Sequence, residues 1–172
     1  ASTATFLAPS IISASVFGAN DRINAVVLGV NGRGKNHISS LMKQKNVHVT
    51  KLCDPDRNLL LKRQREFKNK YNKDVSLEQD LRKVMDDKDI DVVSIASPNH
   101  WHALSVIWAC QAGKDVYVEK PGSHNIFEGR KMVEAAQKYD RIVQHGVQLR
   151  SSPAINEAIG LLRDGYIGNV YM

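Results

Sequence analysis

Residues 97–121 read Ser97-Pro98-Asn99-His100-Trp101-His102-Ala103-Leu104-Ser105-Val106-Ile107-Trp108-Ala109-Cys110-Gln111-Ala112-Gly113-Lys114-Asp115-Val116-Tyr117-Val118-Glu119-Lys120-Pro121, and this stretch decides the fold. Just before it, Ile90 to Ala96 is a short apolar run suited to a buried parallel strand. Pro98 ends that run. Ala103 to Ala112 has helical character, with Leu104, Ile107 and Trp108 as its expected apolar face. Gly113 suits a helix C-cap. Val116-Tyr117-Val118 is the next strand, and Glu119-Lys120-Pro121 falls at its carboxyl end. Open α/β sheets bind their ligands at that edge.

The start of the chain carries a second signal. Ile23 to Gly29 is a β-rich apolar strand, and Gly29-Val30-Asn31-Gly32-Arg33-Gly34 leads into a helix toward Leu41 and Met42. A dinucleotide fold needs such a turn, because backbone N–H groups at a helix N-terminus must approach the pyrophosphate. Gly29, Asn31, Gly32, Arg33 and Gly34 are therefore candidate cofactor contacts. Asn31 occupies the second glycine position of the usual pattern. Asparagine tolerates left-handed backbone, which would keep close approach open. The alternative is a generic glycine-rich strand–helix turn. Val47 to Cys53 alternates like a second strand and ends at Asp54, 25 residues after Gly29. A carboxylate there suits the adenosine ribose hydroxyls and favours NAD over NADP, since it repels a 2′-phosphate. Arg57 lies close enough to join the site and to complicate that preference. Asp54 also reads as a helix N-cap before Pro55.

The remaining elements complete an alternation. Asp56 to Tyr71 reads as a polar helix with Leu59, Leu60 and Phe67 inward, and Val75 lies in a short third strand. Ser76 and Gln79 suit a capping box for a helix through Met85. Strands follow near Asp91–Ala96, Asp115–Val118 and Arg141–His145, with a helix over Ile126–Tyr139. This predicts an α/β chain with a Rossmann-type, doubly wound parallel sheet in the order 3-2-1-4-5-6. Residues 21–150 form the dinucleotide-binding domain in this reading. Residues 151–172 hold a linker helix, with Ser152 as N-cap and Pro153 at N1, and at Asn169–Met172 the first strand of a second, truncated α+β domain.

Composition adds exclusions. The chain has 172 residues, 42% hydrophobic and 24% charged, with a net charge of +6 and a pI near 9.4. The basic residues are dispersed: Lys43, Lys45, Lys62, Arg63, Arg65, Lys68 and Lys70 fall mostly on one polar helix, read as a solvated face. No nucleic-acid-binding motif accompanies them, so no nucleic-acid partner is expected. Cys53 and Cys110 read as free, buried thiols. No metal site is evident, since His100 and His102 enter a helix two residues apart. Residues 1–20 carry no charge and are rich in Ala and Ser, and Pro9 interrupts any membrane span.

Two motifs at this mutual spacing carry a resemblance. Ser97, Pro98, Asn99 and His102 match a Thr-Pro-Asn-x-x-His signature, with Ser for Thr, and Glu119-Lys120-Pro121 matches Glu-Lys-Pro. From about Arg22 onward the chain resembles the Gfo/Idh/MocA family of nicotinamide-dependent oxidoreductases. The resemblance implies NAD as cofactor, NADP second, and a sugar or polyol as substrate. It implies that Lys120 positions the substrate hydroxyl and assists proton transfer, with Glu119 orienting Lys120, and that the Lys120–Pro121 bond is cis. Ser97, Pro98, Asn99 and His102 border the cofactor, with His102 more an organiser of its loop than a catalyst. Trp101 packs either on the dinucleotide or over the core. Gln148 faces the cofactor side and Arg150 the substrate crevice. The family's second domain supplies much of the substrate pocket, so these residues alone are not catalytically complete in this reading. A glycosidase that oxidises its sugar transiently, and a non-catalytic dinucleotide-binding fragment, are the alternatives. Residues 1–20 resemble the later part of an export signal, as in exported family members with twin-arginine signals, or else an N-terminal arm packed on a neighbouring subunit. A periplasmic or exported protein is expected on the first reading, with a cytoplasmic protein as the alternative, and the full-length form is expected to be a homo-oligomer.

Overall fold

The computed structural model describes residues 22–168. The expectations for residues 1–20 and for a strand at Asn169–Met172 lie outside that range. In chain order the elements are β1 (Ile23–Leu28), α1 (Gly32–Leu41), β2 (Val47–Cys53), α2 (Arg57–Tyr71), β3 (Ser76–Glu78), α3 (Leu81–Asp86), β4 (Val92–Ile95), α4 (His102–Gln111), β5 (Asp115–Glu119), α5 (Ile126–Lys138), β6 (Val143–Gly146) and α6 (Pro153–Arg163). Six strands form one sheet in the order β3-β2-β1-β4-β5-β6, and all neighbours are parallel. This is the expected doubly wound order.

Strand alternation explains how two helix layers cover the sheet. Val26 and Leu28 of β1 point to one face, where Met85 of α3, Val106 and Cys110 of α4 and Met132 of α5 pack on them. Val27 points to the other face, against Ile38 of α1 and Leu60 and Phe67 of α2. Each side chain alternates between faces, so a strand buried on both reads as an unbroken apolar run. After β1 the chain runs outward to β2 and β3, then crosses over to lay β4 on the other side of β1. The switch point lies between β1 and β4, and open α/β sheets bind their ligands at the carboxyl ends of the strands there.

Several local expectations change. The inner face of α4 is Ala103, Val106, Ala109 and Cys110, whereas Leu104 is exposed and Ile107 and Trp108 are only partly buried. Small residues let the helix lie close to the sheet, so spacing outweighs bulk. The strand β3 begins at Ser76 rather than holding Val75. Ser76 therefore donates its hydroxyl to Thr50 O, and Asp80 caps α3 instead of a Ser76–Gln79 box. Asp56, not Asp54, caps α2, accepting from Asn58 N and Leu59 N. Both cysteines are free and buried. Burial pushes the Cys53 thiol up to about 12, with Glu78 and Asp54 adding to the effect, so it stays protonated and inert.

Candidate dinucleotide site

The turn after β1 is built from three glycines with separate duties. Gly29 has φ +79, and a Cβ there would stand 2.7 Å from Ala96 O and Ser97 N. The end of β1 therefore presses directly on the loop after β4. A Cβ on Gly34 would stand 1.8 Å from Gly29 O, so α1 can pack on the turn only without a side chain there. Gly32 takes φ +40, and among the described residues nothing lies within 4 Å of its missing Cβ. Because Gly32 carries the positive φ, Asn31 does not need it: Asn31 is extended, at φ −94 and ψ 178. Its side chain does not cap α1. It accepts instead from Arg63 Nη2 at 3.1 Å. The first-turn N–H groups of α1 are thus left without a side-chain cap, which suits a pyrophosphate.

Asp54 ends β2 beside this turn. Its Oδ2 accepts from Val30 N at 3.0 Å and its Oδ1 from Asp56 N at 3.0 Å. Two backbone donors fix the carboxylate, and its remaining lone pairs are free to accept ribose hydroxyls. Arg57 opens α2 nearby and is exposed. Ser97, in the loop that Gly29 touches, has a buried hydroxyl with no hydrogen-bond partner among the described residues. Uncapped backbone donors, an open face at Gly32, a fixed carboxylate and an orphaned hydroxyl together fit a dinucleotide.

Glu119 does not orient the Lys120 ammonium as expected. It is 4% exposed, and its Oε1 accepts from Arg33 Nε at 2.7 Å and lies 3.0 Å from His37 Nε2. His37 Nδ1 is 2.9 Å from Ser94 Oγ, and the His37 ring stands edge-on to Tyr117. Among the described residues, Glu119 Oε2 accepts only the backbone N–H of Lys120, at 3.3 Å. The carboxylate therefore locks the glycine-rich helix α1 to the strand that carries Lys120. Burial pushes the Glu119 carboxyl up, but the Arg33 and His37 hydrogen bonds outweigh it and hold the group below the ordinary value of 4.5. The same contact raises the Arg33 guanidinium. A carboxylate with a depressed folded pKa adds stability that is fully present above its unfolded pKa and is lost as pH falls through the folded one. Glu119→Gln is expected to lower unfolding free energy at pH 7 by about 1–3 kcal/mol, through loss of a charge-assisted bond. It should also flatten the acid limb of stability below pH 4.5, which denaturant melts across pH would read.

Lys120 is exposed, the Lys120–Pro121 bond is cis as the resemblance implies, and the Lys120 ammonium makes no ion pair or hydrogen bond among the described residues. His102 is 2% exposed. Its Nδ1 lies 2.7 Å from Pro121 O and its Nε2 2.8 Å from Ser97 O. The ring thus ties the loop after β4 to the loop after β5. Both ring nitrogens are occupied, so His102 organises these loops and offers the cofactor no free polar atom. Pro98, Asn99 and Trp101 are exposed in the intervening loop, Trp101 at 40%. Gln148 and Arg150 are exposed on a short 3-10 helix after β6, at the same edge of the sheet. His37 and Arg63 were not anticipated. Arg63, expected on a solvated face, is 5% exposed beneath the turn.

These features define a dinucleotide-binding Rossmann domain with a Lys-Pro loop beside its cradle. The chain belongs to the Gfo/Idh/MocA oxidoreductase family with an NAD-binding Rossmann fold, whose family model matches residues 23–147. It is 28% identical over 152 residues to inositol 2-dehydrogenase of Salmonella typhimurium, covering 87% of this chain and 44% of that protein. It is 26% identical over 163 residues to a glycosyl hydrolase family 109 protein of Solibacter usitatus, covering 90% and 36%. Its fold matches the WlbA dehydrogenase of Bordetella pertussis, solved with NADH and UDP-GlcNAcA, at TM-score 0.75 and 21% identity, over 89% of this chain and 43% of that one. The chain spans less than half the length of these relatives.

Proposed function

We propose that this chain is the NAD-binding half of an oxidoreductase that moves hydride between the cofactor and a hydroxyl-bearing carbon of a sugar or polyol. The observation that carries this reading is the Arg33–Glu119 contact, which joins the glycine cradle to the Lys120 loop. When bound, NAD supplies the hydride acceptor or donor. Backbone N–H groups of Gly32 and Arg33 hold the pyrophosphate, and Asp54 accepts from the adenosine ribose. Lys120 Nζ orients the substrate hydroxyl and takes part in moving its proton. Asn99 and Gln148 border the nicotinamide side, and Arg150 meets the substrate. Similarity to an inositol 2-dehydrogenase supports a polyol substrate.

Asp54 directs the choice of cofactor. Titration of the protein is expected to show tighter binding of NAD than of NADP, with Asp54→Ala narrowing the gap by about tenfold, the size of one lost charge-assisted bond. Tighter NADP binding by the unmodified protein would contradict this assignment.

Similarity to a family 109 glycosyl hydrolase favours a second reading, a glycosidase that oxidises and then re-reduces its sugar. Net NADH accumulation with polyols separates the two: the dehydrogenase produces it and the glycosidase does not. Hydride transfer needs a closed, water-excluding pocket, so catalysis in this proposal draws on residues outside this chain. Export of the whole protein and its assembly as a homo-oligomer belong to the same proposal. The uncharged residues 1–20 motivate the first. Cell fractionation and size-exclusion chromatography of a longer protein test the pair.

A further inference from the structure

The glycine-rich turn departs from the usual dinucleotide pattern at its second position, where Asn31 stands. That position ordinarily has no side chain, because its backbone lies against the pyrophosphate. The Asn31 side chain must therefore be held elsewhere. Its Oδ1 accepts from Arg63 Nη2 at 3.1 Å. Arg63 is buried within α2, and its other donors are also engaged: Nε donates to Val30 O at 2.8 Å and Nη1 to Glu66 Oε2 at 2.6 Å. Val30 N donates in turn to Asp54 Oδ2. The Val30–Asn31 segment is thus gripped by a guanidinium through its carbonyl and side chain, and by a carboxylate through its N–H. A planar fork of donors can hold two acceptors at once, which a lysine cannot reproduce. Leaving the Val30 carbonyl or the Asn31 amide unheld would free both the turn and the side chain.

We propose that Arg63 is a positioning residue for the dinucleotide: it draws the Asn31 side chain out of the pyrophosphate space, so that an asparagine can stand where a glycine is usual. The proposal rests on the NAD reading of the cradle. Arg63 touches no cofactor atom in this account. It acts through Asn31, while its bond to the Val30 carbonyl fixes the guanidinium in place. A merely structural Arg63 would instead lower stability and weaken every ligand alike.

The test uses calorimetric titration of the protein with NAD and, separately, with adenosine, which lacks the pyrophosphate. Asn31→Leu removes the acceptor at an exposed position and leaves Arg63 in place. It is expected to weaken NAD about tenfold or more while adenosine binding stays within about twofold, because only the pyrophosphate meets the released side chain. Arg63→Met is expected to weaken NAD by a similar factor. In an Asn31→Gly background the same Arg63→Met change should cost no more than about threefold, since no side chain remains to be held; such coupling between contacting residues is what a double-mutant cycle reads. If Arg63→Met fails to fold, Asn31→Leu alone decides. The proposal is overturned if Asn31→Leu binds NAD as the unmodified chain does, if it loses NAD and adenosine equally, or if the two substitutions are additive. Failure of the unmodified chain to bind NAD would sink the dinucleotide reading, and the proposal with it.

Discussion

Replacing Gly34 by alanine is expected to lower the melting temperature by about 6–12 °C and to weaken NAD binding by at least about a hundredfold. The first figure follows from roughly 3 kcal/mol of overpacking at about 2–4 °C per kcal/mol in a chain of this size. The second corresponds to about 2.7 kcal/mol of lost binding. A Cβ at Gly34 would stand 1.8 Å from Gly29 O. The atom it meets is backbone, so no side chain can swing aside. Either α1 lifts from the turn or the turn moves away from Ala96 and Ser97, which already crowd Gly29. Both responses displace the N–H groups that form the cradle, and the first also pulls Arg33 and His37 from Glu119. A control is available within the same chain. Gly160 lies inside α6, with nothing among the described residues within 4 Å of its missing Cβ. Gly160→Ala should therefore raise stability by up to about 1 kcal/mol, as helix propensity alone dictates. Thermal melts and NAD titrations of the two variants read the contrast. A Gly34→Ala protein that melts and binds like the unmodified one would show that α1 does not sit on the turn as described.

The sheet order was legible because it depends on coarse features. Apolar runs at Ile23–Leu28 and Val92–Ile95 and the alternating Val47–Cys53 are separated by helical stretches, and parallel strands joined by right-handed crossovers leave few orders to choose from. Details resting on a single side chain were less legible. Asp54 and Ser76 read as caps, yet Asp56 and Asp80 hold those places, because which residue caps depends on where a strand stops. β3 takes up Ser76, which leaves Asp80 to cap α3.

The candidate site divides in the same way. Its exposed parts, the glycine turn and the Lys-Pro loop, carry sequence motifs. Its buried parts are ordinary polar residues. Arg63 resembles its basic neighbours on α2, yet Leu60, Arg63 and Phe67 follow an i, i+3, i+7 stripe and all three are buried. That spacing was the available signal. Glu119 follows from strand alternation. Val116 and Val118 face the α3–α5 layer, so Tyr117 and Glu119 point to the α1 side, where His37 lies against both. A glutamate turned inward needs a cation, and Arg33 supplies it.

The same alternation turns Lys120 away from Glu119 and into solvent at the carboxyl edge of the sheet, and the second large effect is expected there. Lys120→Met keeps most of the side-chain length but removes the ammonium and its protons. Under the proposed function, polyol turnover by a longer protein that contains this chain is expected to fall by about 10²–10⁴, the usual contribution of a positioned acid or base. Stability should change by less than about 0.5 kcal/mol, because the residue is exposed and its side chain has no partner among the described residues to lose. This separates Lys120 from Glu119 next to it. The Glu119→Gln change should be visible in the melt of the chain, whereas the Lys120→Met change should be visible only in the rate. Lys120→Arg provides the sharper test. It retains the positive charge, but a guanidinium does not give up its proton in a protein. If Lys120 only attracts the substrate, Lys120→Arg should recover most of the turnover. If Lys120 handles the hydroxyl proton, Lys120→Arg should stay within about tenfold of Lys120→Met, because charge without a transferable proton leaves the step unassisted. Turnover by Lys120→Met within threefold of the unmodified enzyme would remove Lys120 from the chemistry altogether.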